Sequence, residues 1–311
     1  MKLATLKDGS RDGQLVVVSR DLMSAHYATG IADRLQQALD DWNFISPQLQ
    51  DLYDTLNHGK ARHAFVFEAR QCLAPLPRAY LLAVGDACAP ESGPNAPARP
   101  DFSDPMRGPC IPLVTETKQV VDFAAALAVV TADVPRLASP GQALDGVRLL
   151  MLANHVQLCA DQGASGASSP TTLFSAFSPV AVTPDELVWS GSSAWRNGRL
   201  NIVLQCKRNG HTLAKGNFAD SMAVPFGELL AQLCQNRCLG AGSIVSSGEV
   251  RFSDVGSGFC SIAAQRAHEV AQSGSSQTPW LAAGDTLQLE VIGPDGQSVF
   301  GAMTHAVTSA V

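Results

Sequence analysis

The sequence predicts a mainly β chain of the α+β class, and three observations carry that expectation. Hydrophobic residues fill 46% of the 311 positions and charged residues 16%, a balance that supports a sizeable buried core and argues against global disorder. One early stretch, 31–56, repeats its apolar residues at helical spacing. From Pro112 onward, short apolar runs alternate with turn formers, the pattern of strands. The length allows two modest domains, or one large β-rich domain with an appended module. The division predicted is an N-terminal α/β module over 1–85, a Pro/Gly-rich linker over 86–110 and a β-rich C-terminal domain over 111–311.

In order along the chain, Gln14–Val18 predicts a short strand. Ile31, Leu35, Leu39 and Trp42, then Leu49, Leu52 and Leu56, define an apolar helical face. Ser46-Pro47 is expected to split it into two helices, with Ser46 capping the second, and His58-Gly59 to stop it. Residues Gly85 to Pro109 hold Pro90, Pro94, Pro97, Pro100 and Pro105, and predict a loop. Val120–Val130 predicts one buried strand, ending in the turn-like Thr131–Pro135. Asp161–Pro170, all small or polar, predicts a flexible tract. Leu200, Ile202 and Leu204 alternate toward Asn209-Gly210, a pair suited to a type I′ hairpin turn. Phe226–Leu239 predicts a helix bearing Cys234 and Cys238 on one face. Leu287, Leu289 and Val291 alternate toward Pro294-Asp295-Gly296, from which Val299-Phe300 returns.

Several function classes are set aside. The net charge of −6 is spread along the chain without a Lys/Arg cluster, which argues against nucleic acid as a partner. No run reaches the ~18 apolar residues of a membrane-spanning helix. With Lys2, Lys7 and Asp8 so early, no signal-peptide core is visible, and a cytoplasmic location is expected. The eight cysteines are dispersed and read as reduced thiols, and no second Cys/His pair at zinc spacing follows Cys234 and Cys238. Neither a phosphate loop nor a Gly-x-Ser-x-Gly elbow occurs.

Strands like Val120–Val130 often carry carboxylates at alternate positions, so that both face one divalent cation. Here the alternate positions are Ala124 and Ala126, whose methyl groups offer no donor. The surrounding blocks resemble the fumarylacetoacetate hydrolase family. They are Asp122-Phe123 with Leu127-Ala128-Val129, Gly146–Leu152 with Asn154, Ala176-Phe177-Ser178-Pro179, and Ala241–Val245 with Ser247-Gly248. Met1–Leu6 and Gly284-Asp285-Thr286 are also similar to bacterial members, so the resemblance covers most of the chain.

That resemblance implies a β-rich catalytic domain, a homodimer, and three carboxylates gripping magnesium, calcium or manganese for chemistry on β-dicarbonyl and 2-oxo acid compounds. Carried over, the two glutamates fall on Ala124 and Ala126 and the aspartate on His155. The lysine falls on Thr172, and the threonine after Ser247-Gly248 is Glu249. The segment after Tyr80, where members often carry a general-base histidine, is shortened and rich in Pro, Gly and Ala. The candidate catalytic residues are therefore His155, Glu249 and Thr172, with Ser247, Gly248 and Ser178 as candidate substrate contacts, and no metal or other cofactor is expected. His155 either moves protons near neutral pH or fills a dead pocket with one hydrogen bond. Glu249 either orients it or faces solvent from a strand. Cys159 would stand ~13 Å from His155 on an extended segment, too far for a nucleophile pair. Asp122 and Glu116 fall off the phase that a cation would need. Lys207 and Arg208 read as solvated hairpin residues.

The reading favoured is an enzyme, hydrolase- or lyase-like, with altered and metal-independent chemistry on a β-dicarbonyl or 2-oxo acid. C–C hydrolysis, decarboxylation, tautomerisation and cyclisation all suit it, in specialised metabolism. The alternative is a catalytically inactive binding or scaffold protein on the same fold, with a small-molecule ligand in either case.

Overall fold

The computed structural model describes residues 1–88, 99–101, 106–115, 119–160 and 171–309. The N-terminal module runs β1 (Lys2–Leu6), β2 (Gln14–Val18), β3 (Ser24–Tyr27), α1 (Leu35–Asp40), α2 (Trp42–Asn57) and β4 (Phe65–Val66). There follow β5 (Leu81–Val84), β6 (Arg99–Asp101), β7 (Met106–Arg107), β8 (Leu113–Thr115), β9 (Gln119–Asp122), β10 (Ala125–Thr131), α3 (Pro140–Asp145), β11 (Val147–Ala160), β12 (Thr171–Phe177) and β13 (Val180–Val182). Two small hairpins come next, β14 (Val188–Trp189) with β15 (Ser192–Ser193) and β16 (Trp195–Arg196) with β17 (Arg199–Leu200). The chain closes with β18 (Val203–Arg208), β19 (His211–Asn217), α4 (Phe218–Ser221), α5 (Phe226–Leu233), β20 (Ser243–Ser246), α6 (Ile262–Ser273), β21 (Thr286–Ile292) and β22 (Met303–Ser309). The α+β class is as the sequence predicts, and no helix among the described residues is long and apolar enough to cross a membrane.

Among the described residues, the main sheet has 13 strands. Its path is β4-β3-β2-β1-β13-β11-β10-β20-β5-β6, with β12 and β9 also pairing β11 and β7 pairing β12. A second, five-stranded sheet runs β19-β18-β21-β22-β8. β1 lies antiparallel between β2 and β13, so the module's first strand is hydrogen-bonded directly to the C-terminal domain's sheet.

Several elements differ from expectation for definable reasons. The helical stretch breaks at Asp41, and Pro47 sits inside α2. As the sixth helical residue it removes the backbone bond to the Asn43 carbonyl, and the helix continues past it to Asn57. α2 buries Ile45, Leu49, Tyr53 and Leu56, and stops at His58 with Gly59 at φ 67°. Within the expected loop 85–109, β6 pairs β5 and β7 pairs β12; residues 89–98 and 102–105 lie outside the description, as do Glu116 and the tract 161–170. The run Val120–Val130 is two strands, both paired to the 14-residue β11. At the break, side chains replace the ladder: the Phe123 amide donates to Asp122 Oδ1 (2.8 Å) and the Ala124 amide to Asn154 Oδ1 (3.1 Å). α5 ends at Leu233, so Cys234 is buried and Cys238 exposed beyond it, and they share no helical face.

Both predicted turns form. Asn209 and Gly210 take φ 53° and 79° between β18 and β19, and the Gly293 amide closes on the Gln297 carbonyl after β21. Arg208 is not a solvated hairpin residue: it ion-pairs with Asp285 (2.5 Å) and donates to the Pro279 and Trp280 carbonyls.

The two faces of the main sheet feed two cores. One face presents Ala126, Ala128, Leu149, Met151, Ala153 and Phe177 to the helical module's Leu35, Leu49 and Tyr53. The other presents Leu127, Val129, Leu150 and Leu152 to the remainder of the C-terminal domain.

Candidate functional site

β10 and β11 pair antiparallel with Ala125 opposite Asn154 and Ala126 opposite Ala153, and the His155 amide donates to the Ala124 carbonyl (2.9 Å). Strand alternation therefore puts Ala124, Ala126, Ala153 and His155 on the face that packs toward the helices. β12 brings Ser175 opposite His155, and β20 brings Ser246 opposite Ala128 on the far side of β10. The imidazole reaches across the space over the two alanines. Its Nδ1 lies 2.7 Å from Ser175 Oγ and its Nε2 2.7 Å from Ser246 Oγ. His155 is 3% exposed. A neutral imidazole has one donor and one acceptor nitrogen, so one serine donates to the ring while the other accepts from it. Ser246 Oγ also accepts the Gly248 amide (3.2 Å), which leaves its own hydrogen well placed to donate to Nε2.

A divalent cation of the kind the resemblance implies does not fit these residues. Hard cations take several oxygen ligands, chiefly carboxylates. Ala124 and Ala126 supply methyl groups, and both nitrogens of His155 are engaged by hydroxyls. Among the described residues, no group of three His, Cys, Asp or Glu side chains is arranged to hold a metal ion.

Two carboxyls lie nearby around the start of α6. Asp122, fully buried, accepts from the Phe123, Ile262 and Ala263 amides (2.8, 2.9 and 2.7 Å). Burial, helped by the charge of Glu249, outweighs the pull of those amides and leaves its pKa raised to about 6. Glu249 accepts from Ser261 Oγ (2.6 Å), the N-cap of α6. Burial raises its pKa above the usual carboxylate range, while the Ser261 hydroxyl and Arg251 draw it down. Cys159 is pushed up to about 11 by burial and by the charges of Asp122 and Glu249, so its thiol stays protonated at neutral pH. β11 remains extended through both positions 155 and 159, as a strand spacing of ~13 Å requires.

The structure brings His155 to two serines, and hydrogen-bonds Glu249 to Ser261. Thr172 sits opposite Gln157 on β12, three residues or ~10 Å along the strand from Ser175. Ser247 Oγ accepts the Leu127 amide and donates to the Gly248 carbonyl, and Ser178 Oγ accepts the Leu152 amide and donates to the Val180 carbonyl. Those two hydroxyls complete backbone pairing at strand ends. Gly248 has φ 76°, and a Cβ there would overlap the Gly85 carbonyl oxygen. Sequence reasoning missed Ser175 and Ser246 altogether. Ser246 adjoins the Ser247-Gly248 block, but only strand register discloses that it faces His155; Ser175 carries no sequence signal at all.

Comparison with known proteins agrees with this architecture. The family profile described as fumarylacetoacetate (FAA) hydrolase C-terminal matches residues 94–308, and that described as fumarylacetoacetase N-terminal domain 2 matches residues 1–78. Among solved structures, maleylpyruvate hydrolase from Sphingobium sp. SYK-6, in complex with manganese(II) and pyruvate, aligns with a TM-score of 0.66 at 14% identity over 100% of both chains. The fumarylacetoacetate hydrolase of psychrophilic Exiguobacterium antarcticum aligns at 0.66 with 17% identity, again over 100% of both. A 2-hydroxyhepta-2,4-diene-1,7-dioate isomerase from Mycobacterium marinum aligns at 0.58 with 15% identity over 99% of this chain and 98% of its own. At such identities the likeness is one of fold. No curated protein matches the sequence.

Proposed function

This chain belongs to the fumarylacetoacetate hydrolase family, and within it we propose an enzyme whose chemistry on a β-dicarbonyl or 2-oxo acid substrate is independent of a divalent cation. The observation that carries the proposal is the hydrogen-bonded chain Ser175–His155–Ser246, laid over Ala124 and Ala126 where the family resemblance places carboxylate ligands. Imidazole exchanges protons near neutral pH. Flanked by hydroxyls, it can accept a proton through one nitrogen and return it to an enolate carbon or oxygen through the other, which C–C hydrolysis, decarboxylation and tautomerisation all require. Ser175 and Ser246 fix the ring and offer hydroxyl donors for developing enolate charge. The family supports a small-molecule substrate.

One observation favours a second reading. Both ring nitrogens are already satisfied and the ring is 3% exposed, which is also how a catalytically inactive binding or scaffold protein would fill a vacated centre. The experiment is turnover of a panel of acylpyruvates and oxaloacetate, with and without EDTA, for the wild type and His155→Gln. The expected result is turnover that EDTA leaves unchanged and that His155→Gln lowers at least a hundredfold. Turnover lost in EDTA and restored by manganese refutes the cation-independent chemistry. Absence of turnover across the panel refutes the enzyme and leaves the scaffold.

A further inference from the structure

Away from His155, a cleft of about 1100 Å³ opens between the N-terminal module and the C-terminal domain. Its charged lining is Lys7, Glu68 and Arg70 on the module side and Arg107 on the other. The whole chain carries −6, so three cations against one anion is a local reversal of sign. Glu68 accepts from Gln71 Nε2 (3.0 Å), and Lys7 Nζ is tied to the Arg70 carbonyl (2.9 Å). Among the described residues, neither the Arg70 nor the Arg107 guanidinium has an ion-pair partner, and both side chains are exposed. Lys7 and Arg70 both stand close enough to Cys110, also on the cleft wall, to draw its thiol down against the upward push of burial. Lys7 and Arg70 therefore act on the same stretch of wall, and Arg107 lines the same cleft. The floor of the cleft is apolar, formed by Leu73, Met106 and Ile111.

We propose that this cleft is a binding site for a small polycarboxylate: a short carbon chain over the apolar floor, its carboxylates forked by Arg70 and Arg107, with Lys7 behind. Guanidinium is the side chain whose planar donors match a carboxylate two-to-two. A cleft of one charge sign raises the local concentration of oppositely charged ligands. The volume exceeds what a single compact anion fills, and lies near the upper bound of ordinary ligand pockets. The site also has a route to the first. β7, which carries Arg107, pairs in parallel with β12, placing Met106 beside Ser175, the residue that holds His155 Nδ1.

The test is calorimetric titration of the full chain with citrate at low ionic strength, alongside Arg70→Gln, Arg107→Gln and the double variant, with inorganic phosphate as a competitor. Both arginines are exposed, so the variants should keep the wild-type thermal transition, which is checked first. One saturable citrate site is expected, weakened about tenfold by each substitution and lost in the double variant, with phosphate failing to compete. Undiminished citrate binding by the double variant, or no saturable binding by the wild type, overturns the assignment. So does equal binding of phosphate, which marks a compact-anion site. Substitutions that change self-association and leave citrate untouched identify the cleft as a contact between copies of the chain, and overturn it too. None of these readouts depends on turnover at His155.

Discussion

Removing the imidazole of His155 should unbalance two serines unequally, and that inequality is measurable. In the folded chain Ser175 Oγ has His155 as its hydrogen-bond partner, whereas Ser246 Oγ also holds the Gly248 amide. In His155→Ala a stranded buried hydroxyl costs roughly 1–3 kcal/mol, so about 2 for Ser175 and about 1 for the half-served Ser246. The space left by the ring adds about 1 kcal/mol, since Ala124, Ala126 and Ala153 around it have no side chains to collapse inward. The sum is about 4 kcal/mol, or a fall of about 8 °C in the thermal midpoint for a chain of this size. Ser175 has nothing left to bond in that variant, so truncating it as well should recover about 1–2 kcal/mol: His155→Ala/Ser175→Ala should be more stable than His155→Ala alone. Urea unfolding of the four members of the cycle gives the coupling directly. If His155→Ala is destabilised by less than 1 kcal/mol, or if Ser175→Ala lowers the double variant further, the ring is not clamped as described and the reasoning fails.

Two further outcomes follow from neighbouring geometry. Asp122 is raised from 3.8 to about 6 by burial, so over that interval the folded chain keeps a proton that the unfolded chain has released. Unfolding then releases protons, so this group's contribution to stability declines as pH rises from about 4 to about 6, by an amount on the order of 3 kcal/mol. Urea midpoints across that interval should slope less in Asp122→Asn than in the wild type, and parallel slopes would show that Asp122 ionises normally in the folded chain. At Gly248, φ 76° and the Gly85 carbonyl both exclude a side chain. Gly248→Ala should lower stability by about 3 kcal/mol or more, read by thermal unfolding, and a wild-type transition would show the turn to be adaptable.

The parts of this chain legible in its sequence are those specified locally. Asn209-Gly210 demands positive φ at both positions and forms its hairpin as expected. The apolar spacing of Leu49 and Leu56 gives the buried face of α2, although the break before it is set by Asp41 and the tolerance of an early proline. That positions 124 and 126 offer only methyl groups can be read without any register. Illegible were contacts made by strand order. β20 reaches β10 after more than 110 residues of intervening chain, so nothing local places Ser246 opposite Ala128. Asp122 was off phase for a cation, and the structure shows why: its carboxyl turns to the α6 amides and breaks the strand in doing so. Arg208 was misjudged for the same reason, since Asp285 is remote in sequence.

Set against the three carboxylates that the family resemblance implies, Ala124, Ala126 and His155 make physical sense only together. Three carboxylates around one centre are tolerable while a doubly charged ion sits among them; without it, their mutual repulsion and desolvation raise one another's pKa and weaken the fold. Losing one ligand weakens the hold on the ion and leaves the remaining carboxylates poorly compensated. Two methyl groups remove the charge and open a space of side-chain size between β11 and β20. An imidazole is long enough to cross that space from 155 and neutral enough to be buried there, provided each nitrogen finds a hydroxyl. Ser175 and Ser246 supply one each, at 2.7 Å. The same requirement that makes the burial affordable leaves a proton-exchanging group on a hydrogen-bonded line from Ser175 to Ser246, so stability and the chemistry proposed here draw on the same three side chains.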